Sequence, residues 1–412
     1  MRITHLSLTN FRNYGRLELD LPAGPILLHG DNAQGKTNFL EAIWYLATTR
    51  SPQADQDIQL INWTASETAE PIVVGRLIAT VEAGGALGRI EVRLIRERQG
   101  ERLSFRREVL INGKKVRLMD LLGHLRVVLF LPQDINLIDG APALRRRYLD
   151  ITLCQTDQQY CRALSQYNKI LEQRNALLRQ IGETGRGREL LPIYNDQLTE
   201  YGAILFVRRA RFLQFLARQA QRVHYEQLTE GKETIRLHYL PRLEPVRTRE
   251  LTLEEAQPFI ETADWLAASE PQTVAARLAA ALIASEEQDV LRQRTNVGPH
   301  RDDWRFWVNR RSLSSFGSRG QQRTALLALK LAEISWFAEV TGETPILLLD
   351  EVVAELDGRR RDLLLQTVAA VSQSILTATE PGMFTAEFIA GATTIEVRQG
   401  QLSFSPAGRP LS

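Results

Sequence analysis

The chain has 412 residues, of which 44% are hydrophobic and 24% charged, with a formal net charge of +2. That is enough apolar material for two domains, or for one domain with a large insertion, and too little net charge to announce a nucleic-acid binder by composition. No apolar run nears the ~18–20 residues of a membrane helix, and the N-terminus lacks the apolar centre of a secretory signal, so a cytoplasmic protein is expected.

Residues 1 to about 135 carry short alternating runs that predict strands: Ile3–Leu8, Leu17–Leu21, Val73–Val81, Ile90–Ile95 and Leu103–Ile111. Asn112-Gly113 marks a hairpin turn after the last of them. Between Leu28 and Thr49 the pattern changes to strand, glycine-rich turn and helix, with Phe39, Ile43 and Leu46 on one face. The turn reads Gly30-Asp31-Asn32-Ala33-Gln34-Gly35-Lys36-Thr37 and fits the phosphate-loop pattern in its confirming strand–helix context. Its glycines let successive N–H groups face a phosphate chain at the positive end of a helix. Lys36 would offset β/γ-phosphate charge, and Thr37 would ligate Mg²⁺.

From about 142 the apolar residues recur at steps of three and four. Leu144, Tyr148 and Ile151 lead into Tyr160, Leu164, Tyr167 and Leu171, and then Leu198, Tyr201, Leu205, Phe212, Leu216 and Val223. The spacing predicts an antiparallel helical hairpin with a polar tip at 182–188. Cys154 and Cys161 lie in this helical stretch with no histidine nearby and read as core thiols of a reducing compartment. An alanine-rich helix is predicted over 272–292. Arginine clusters at 145–147, 186 with 188, 208–209 with 211, and 359–361 are open to two readings, solvated helix faces or phosphate contacts.

Strand character returns at Trp304–Val308. Ser315 to Arg323 then opens a helix running to about Ala338, with Ser318 and Gly320 at its start, where an anion is favoured. Ile346–Leu349 followed by Asp350 and Glu351 is an apolar run ending in two acids, as in a parallel strand buried on both faces. Asp350 can complete a Mg²⁺ shell, and Glu351 can orient or deprotonate a water. The Gly298–Asp303 block, with His300, reads either as a contact to DNA or nucleotide or as a turn that clamps the helical insertion onto the core.

Gly317-Ser318-Arg319-Gly320-Gln321 resembles the signature loop of ABC ATPases, with Arg319 in place of a glycine. Gln133, after the strand Val127–Leu131, resembles the Q-loop, and Glu355-Leu356-Asp357 the D-loop. Lys36 and Ser318 stand 282 residues apart, which resembles the SMC-like arrangement and not a transporter. The stretches Asn10–Tyr14, Arg145–Asp150, Gln173–Asn175 and Gly298–Asp303 are similar to the RecF family along essentially the whole chain. That resemblance implies an α/β fold, an ABC/SMC-like ATPase head (a phosphate-loop NTPase with an antiparallel β-subdomain) carrying an inserted helical lobe. The expected divisions are 1–140 and 291–412 for the two halves of the head and 141–290 for the lobe.

The resemblance also implies a weak, DNA-stimulated ATPase that uses ATP and Mg²⁺ in a composite site. The phosphate loop (Gly30, Asp31, Asn32, Ala33, Gln34, Gly35, Lys36 and Thr37) and Arg12 of one chain would meet Ser318, Gly320 and Gln321 of another in an ATP-dependent homodimer. Lys36, Glu351 and Gln133 would be catalytic, and Thr37, Asp350 and Gln133 would hold the metal. Implied partners are duplex DNA near single-strand gaps and the mediators RecR and RecO, in aid of loading RecA recombinase. Transporters place a histidine after the strand that follows the acids. Here Thr379-Glu380 stands there, which fits slow, switch-like turnover. Short arms disfavour a chromosome organiser, and the lack of a second carboxylate or histidine cluster disfavours a nuclease.

Overall fold

The computed structural model describes residues 1–66, 70–100, 102–244 and 251–404. The chain divides into two compact units, residues 1–133 with 337–412, and residues 134–336. The first stretch lays down eight strands: β1 (Arg2–Phe11), β2 (Tyr14–Asp20), β3 (Gly24–His29), β4 (Ile72–Ala83), β5 (Ala86–Gln99), β6 (Arg102–Ile111), β7 (Lys114–Val116) and β8 (Val127–Phe130). The second unit contributes β9 (Ile235–Leu240), β10 (Asp303–Val308) and β11 (Arg311–Ser312). The return to the first unit adds β12 (Ile346–Asp350), β13 (Gln373–Ala378), β14 (Thr393–Arg398) and β15 (Gln401–Phe404).

Two sheets make the first unit. One is antiparallel, in the order β2-β1-β4-β5-β6-β7, and its strands show the alternation read from sequence: Leu77, Ala79 and Val81 of β4 are buried. Asn112 and Gly113 both take positive φ in the β6–β7 turn, as a type I′ hairpin requires. The other sheet runs β15-β14-β3-β13-β12-β8. Four of its five pairings are parallel, and the edge strand β15 is antiparallel to β14. All five residues of β12 are buried, which is why the run carries no polar residue before Asp350. The helix Lys36–Thr48 inserts Phe39, Leu40, Ile43 and Leu46 into one core shared with Ile26, Leu28, Leu348 and Ile375 and with Leu6, Leu77 and Val92. Because the strands are parallel, the segments that follow β3, β8, β12 and β13 all leave from the same edge.

The second unit is mainly helical: Pro142–Thr156, Gln158–Thr184, Leu191–Arg222, Leu253–Ala268, Pro271–Arg292 and most of Arg319–Thr341. The hairpin read from sequence is present, its arms joined through Gly185 and Gly187 in left-handed conformation. Spacing alone resolves no element between 224 and 271, yet the structure holds β9 and a helix there. That helix starts with a capping box in which Thr252 and Glu255 exchange hydrogen bonds with each other's backbone. The division also differs from 141–290. β10 pairs with β9 from Asp303–Leu240 to Val308–Ile235, which holds residues 291–336 with the lobe.

Arg208, Arg209 and Arg211, open between a solvated face and phosphate contacts in the sequence, are each paired with acids of the second unit. Arg209 is 2% exposed. Its guanidinium meets Asp302 at 3.1 Å, Asp150 at 2.7 Å and the Tyr160 hydroxyl at 2.9 Å. Arg208 pairs with Asp157 at 3.1 Å, and Arg211 with Glu270 at 3.0 Å and two carbonyls. Arg145 grips Asp303 with two bonds, of 2.6 and 3.1 Å. Arg174, fully buried, reaches Asn195, Asp289 and Thr295, each at 2.8 Å.

Three of the four stretches that carry the RecF resemblance, those at 145–150, 173–175 and 298–303, therefore meet in buried polar contacts of the second unit. Gly298 has φ +124°, and a Cβ there would lie 2.4 Å from the Tyr167 hydroxyl. His300 accepts from that hydroxyl at Nδ1 (2.8 Å) and donates from Nε2 to the Thr295 carbonyl (3.1 Å). Burial takes its pKa down to about 3, so the ring is neutral. These contacts are made within the second unit, so they are not the clamp onto the core that one of the two readings expected.

Removing one member of such a network leaves buried charges uncompensated, at a cost on the order of 3–5 kcal/mol. Arg209→Ala is expected to lose stability on that scale, read as a lower denaturation midpoint from the fluorescence of the buried Trp304 and Trp307. A midpoint equal to that of the parent chain would contradict the network's role.

Candidate nucleotide site

The phosphate loop connects β3 to the helix Lys36–Thr48. Asp31, Asn32 and Ala33 form its exposed tip, and Ala33 takes φ 62°. Gly30 has φ +143°, and a Cβ there would come within 2.4 Å of the Val397 carbonyl. No other residue type fits that position. Lys36 is buried, and its ammonium donates to the carbonyls of Gly30 (2.7 Å) and Asp31 (3.0 Å). It also stands 3.4 Å from Oε1 of Glu351. A cation is thus fixed at the mouth of a loop of backbone amides at a helix start, an arrangement that can neutralise a polyphosphate.

The acids reach the loop through the parallel register. β12 pairs with β13 so that Asp350 lies opposite Thr377. The Asp350 carboxylate accepts from the Thr377 hydroxyl at 2.8 Å and from Thr37 at 3.0 Å to each oxygen. Burial pushes the Asp350 pKa above the ordinary aspartate value, and the bonds from Thr377 and Thr37 pull it back in part. The Thr377 oxygen in turn accepts from the Glu351 N–H at 3.0 Å. Glu351 itself takes φ 55°, an uncommon conformation for a non-glycine residue. Its side chain is 41% exposed beside Lys36, so the acid that could act on water is open and the acid that could hold a metal is buried.

Thr37 and Asp350 bring hard oxygen donors to one point. Among the described residues no group of three or more His, Cys, Asp or Glu could hold a metal. One hydroxyl and one carboxylate suit Mg²⁺, which keeps waters and phosphate oxygens for its remaining positions. Gln133 is exposed in the turn Pro132–Ile135, directly after β8, which pairs with β12.

Arg12 has its guanidinium held elsewhere. It makes bonds of 2.7 and 2.9 Å to Glu41 and one of 3.4 Å to the Gln59 carbonyl. Glu41 is buried on the helix that follows the loop, so Arg12 meets the expectation of a nucleotide contact with its charge already paired. Thr377 is the residue that sequence reasoning missed. One threonine among many, it is marked only by standing opposite Asp350.

Ser318, Gly320 and Gln321 belong to the second unit. The Gln321 N–H donates to the Ser318 hydroxyl at 3.2 Å, and the Ser318 N–H to the Gln321 side chain at 2.9 Å. This is a reciprocal cap on the helix Arg319–Thr341. Gly320 is exposed, has no positive φ, and a Cβ there would meet nothing nearer than the Ser318 hydroxyl at 3.8 Å.

A family model described as the RecF/RecN/SMC N-terminal domain matches residues 2–401. The chain is 40% identical over 412 residues to the DNA replication and repair protein RecF of Chloroflexus aggregans, covering 98% of this chain and 99% of that one. It is 38% identical over 411 residues to the protein of the same name from Symbiobacterium thermophilum, covering 99% and 100%. A solved structure of the recombination mediator protein RecF with ATP, described as part of the RecFOR pathway, superposes with TM-score 0.80 at 30% identity, over 98% of this chain and 97% of that one. A Pyrococcus furiosus Smc head with an extended coiled coil superposes at TM-score 0.50 and 15% identity, over 98% and 95%, and shares the fold alone.

The geometry ties metal binding to the charge on Asp350. A raised carboxyl pKa means that protons compete for this group at a higher pH than for an ordinary aspartate. The extra affinity for ATP that Mg²⁺ confers should therefore fade on lowering the pH, and at a higher pH than an ordinary aspartate would give. In Asp350→Asn that increment should be small and independent of pH. Titrating fluorescent ATP with Mg²⁺ and with chelator as the pH is lowered measures it, and an undiminished increment in Asp350→Asn would remove Asp350 from the metal site.

Proposed function

The chain belongs to the RecF family within the SMC-like ABC ATPases, and from that premise we propose that it is an ATP-gated DNA clamp. It acts in the cytoplasm in recombinational repair of single-stranded gaps. Two copies close around two ATP molecules, each held by the phosphate loop of one copy and the signature loop of the other. The closed dimer holds duplex DNA beside a gap, and with RecR and RecO it aids the loading of RecA.

The observation that carries this reading is Gly320. Glycine in a helix costs up to about 1 kcal/mol relative to alanine, and nothing around Gly320 in its own chain requires the missing side chain. A glycine kept there, beside a capped serine at an exposed helix start, fits close approach by a phosphate from outside the chain. The phosphate loop, some 280 residues earlier in the sequence, presents the complementary half.

In the proposed reaction Lys36 offsets charge on the β- and γ-phosphates. Thr37 and Asp350 would hold Mg²⁺, which would supply positive charge to offset that of the phosphates. Glu351, open beside Lys36, orients a water for in-line attack and takes its proton, and Gln133 assists from the end of β8. Ser318 and the Gly320 N–H of the second copy cover the transferred phosphoryl group. Thr377 keeps the two acids apart in role by donating to Asp350 and accepting from the Glu351 backbone. Because two chains must be ordered before attack, ATP binding closes the clamp and hydrolysis opens it.

Glu351→Gln keeps the metal ligands and removes the base. It is expected to bind ATP, to lose on the order of a hundredfold or more in hydrolysis, and to accumulate as a dimer when sized with ATP. Unchanged hydrolysis would move the catalytic role from Glu351, with Gln133 the next candidate. DNA affinity should fall as salt rises, by about 0.9 in the log–log slope for each phosphate neutralised. Closing a dimer adds phosphate contacts, so the slope should be steeper with ATP than without. Equal affinity and equal slope in both conditions would rule out the clamp.

A further inference from the structure

Both glycines of the phosphate loop are crowded by residues outside it. A Cβ on Gly35, at φ +119°, would lie 2.5 Å from Nδ2 of Asn13. One on Gly30 would strike the Val397 carbonyl at the end of β14. Asn13 sits in the β1–β2 turn, and Gln399 and Gly400 form the β14–β15 turn. The two turns belong to different sheets and close on the loop from two sides.

Their grip falls on Gln34. Its backbone carbonyl accepts from Asn13 Nδ2 at 2.9 Å and from the Gly400 N–H at 3.0 Å. Its side-chain carbonyl accepts from the Gln399 N–H at 2.7 Å. Asn13 also accepts at Oδ1 from Asn38 at 2.8 Å, which ties the loop to the first turn of the helix. The next carbonyl, of Gly35, accepts from the buried Tyr14 hydroxyl at 2.9 Å.

Peptide planarity turns these contacts into a statement about donors. In a trans peptide the C=O of one residue and the N–H of the next point in opposite directions. Drawing the Gln34 carbonyl outwards fixes the Gly35 N–H inwards, and holding the Gly35 carbonyl does the same for the Lys36 N–H. Those are amides a phosphate oxygen must find already aimed. The terminal hairpin also carries an unfavoured choice for this purpose. Gln399 takes φ 49° and Gly400 φ 75°, a type I′ turn in which asparagine or glycine usually fills the first place. Gly400 cannot be larger, since a Cβ would lie 2.8 Å from the Asn13 carbonyl.

We propose that Asn13 and the Gln399–Gly400 turn are positioning residues for nucleotide, which pre-aim the phosphate-loop amides by holding Gln34 from two sides. This rests on the reading of the loop as a nucleotide site. Holding Gln34 from two sides restricts the loop, so the contacts lower the ordering cost of binding and act on affinity more than on the chemical step.

Fluorescent ATP binding, turnover and melting temperature of Asn13→Ala, Gln34→Ala and Lys36→Ala, each in the full chain, test the proposal. Asn13→Ala is expected to weaken ATP about tenfold by removing two bonds, and Gln34→Ala about threefold by removing one. Turnover at saturating ATP should fall less than twofold in Asn13→Ala, which a merely structural role does not predict. Should Asn13→Ala melt early, Gln34→Ala, which alters one partly exposed side chain, decides. Folded variants with parental affinity for ATP would overturn the positioning role while leaving the nucleotide site intact. A parent chain that binds no ATP, with Lys36→Ala no different, would overturn the nucleotide reading, and the positioning role with it.

Discussion

The chemistry of the first unit depends on one register, the parallel pairing of β3, β13 and β12. β13 stands between the strand that ends in the phosphate loop and the strand that ends in the two acids. Residues 37 and 350 are far apart in sequence, yet this order brings the Thr37 hydroxyl and the Asp350 carboxylate within 3.0 Å. Thr377, at the end of the middle strand, then bonds Asp350 with its proton and the Glu351 backbone with its lone pair. A shift of β12 by one residue would turn Asp350 to the opposite face of the sheet and break all of these contacts at once. Burial of β12 within the sheet is what forbids that shift.

Most of the residues with family character lie apart from the phosphate loop and the two acids, in the second unit. Lys36, Thr37, Asp350 and Glu351 are common to phosphate-loop enzymes and lie in the first unit. The stretches around Arg145, Arg174 and Asp302 narrow the resemblance to RecF, and they spend their polar groups on a buried network in the second. Asp302 illustrates the cost. Burial raises its pKa to about 6 despite the neighbouring Arg209. Such a network adds little net stability over a packed apolar core. It fixes where four helices and β9 sit.

Much of this was legible in the sequence because the signals are local. The glycine spacing of 30–37, the apolar run ending at Asp350, and the three–four periodicity of the long helices each follow from the geometry of a single element. The three-residue step from Thr252 to Glu255 was also local, and it marks a helix that hydrophobic spacing alone does not resolve. Thr377, Asn13 and the Gln399–Gly400 turn were not legible, because each acts through a partner more than 20 residues away. The arginine clusters stayed open between two readings for a related reason. Arg208, Arg209 and Arg211 look alike in sequence, and only the fold separates the buried 209 from its half-exposed neighbours.

The proposed composite site is tested most directly by mixing two variants, each expected to be inactive alone. Lys36→Ala lacks a working phosphate loop and keeps its signature, whereas Ser318→Arg lacks the signature and keeps its loop. A heterodimer of the two holds one site in which an intact loop faces an intact signature. Hydrolysis by an equimolar mixture should therefore rise well above that of either variant alone, with a dimer appearing on sizing in ATP. A mixture no more active than the sum of its parts would contradict a site shared between two chains.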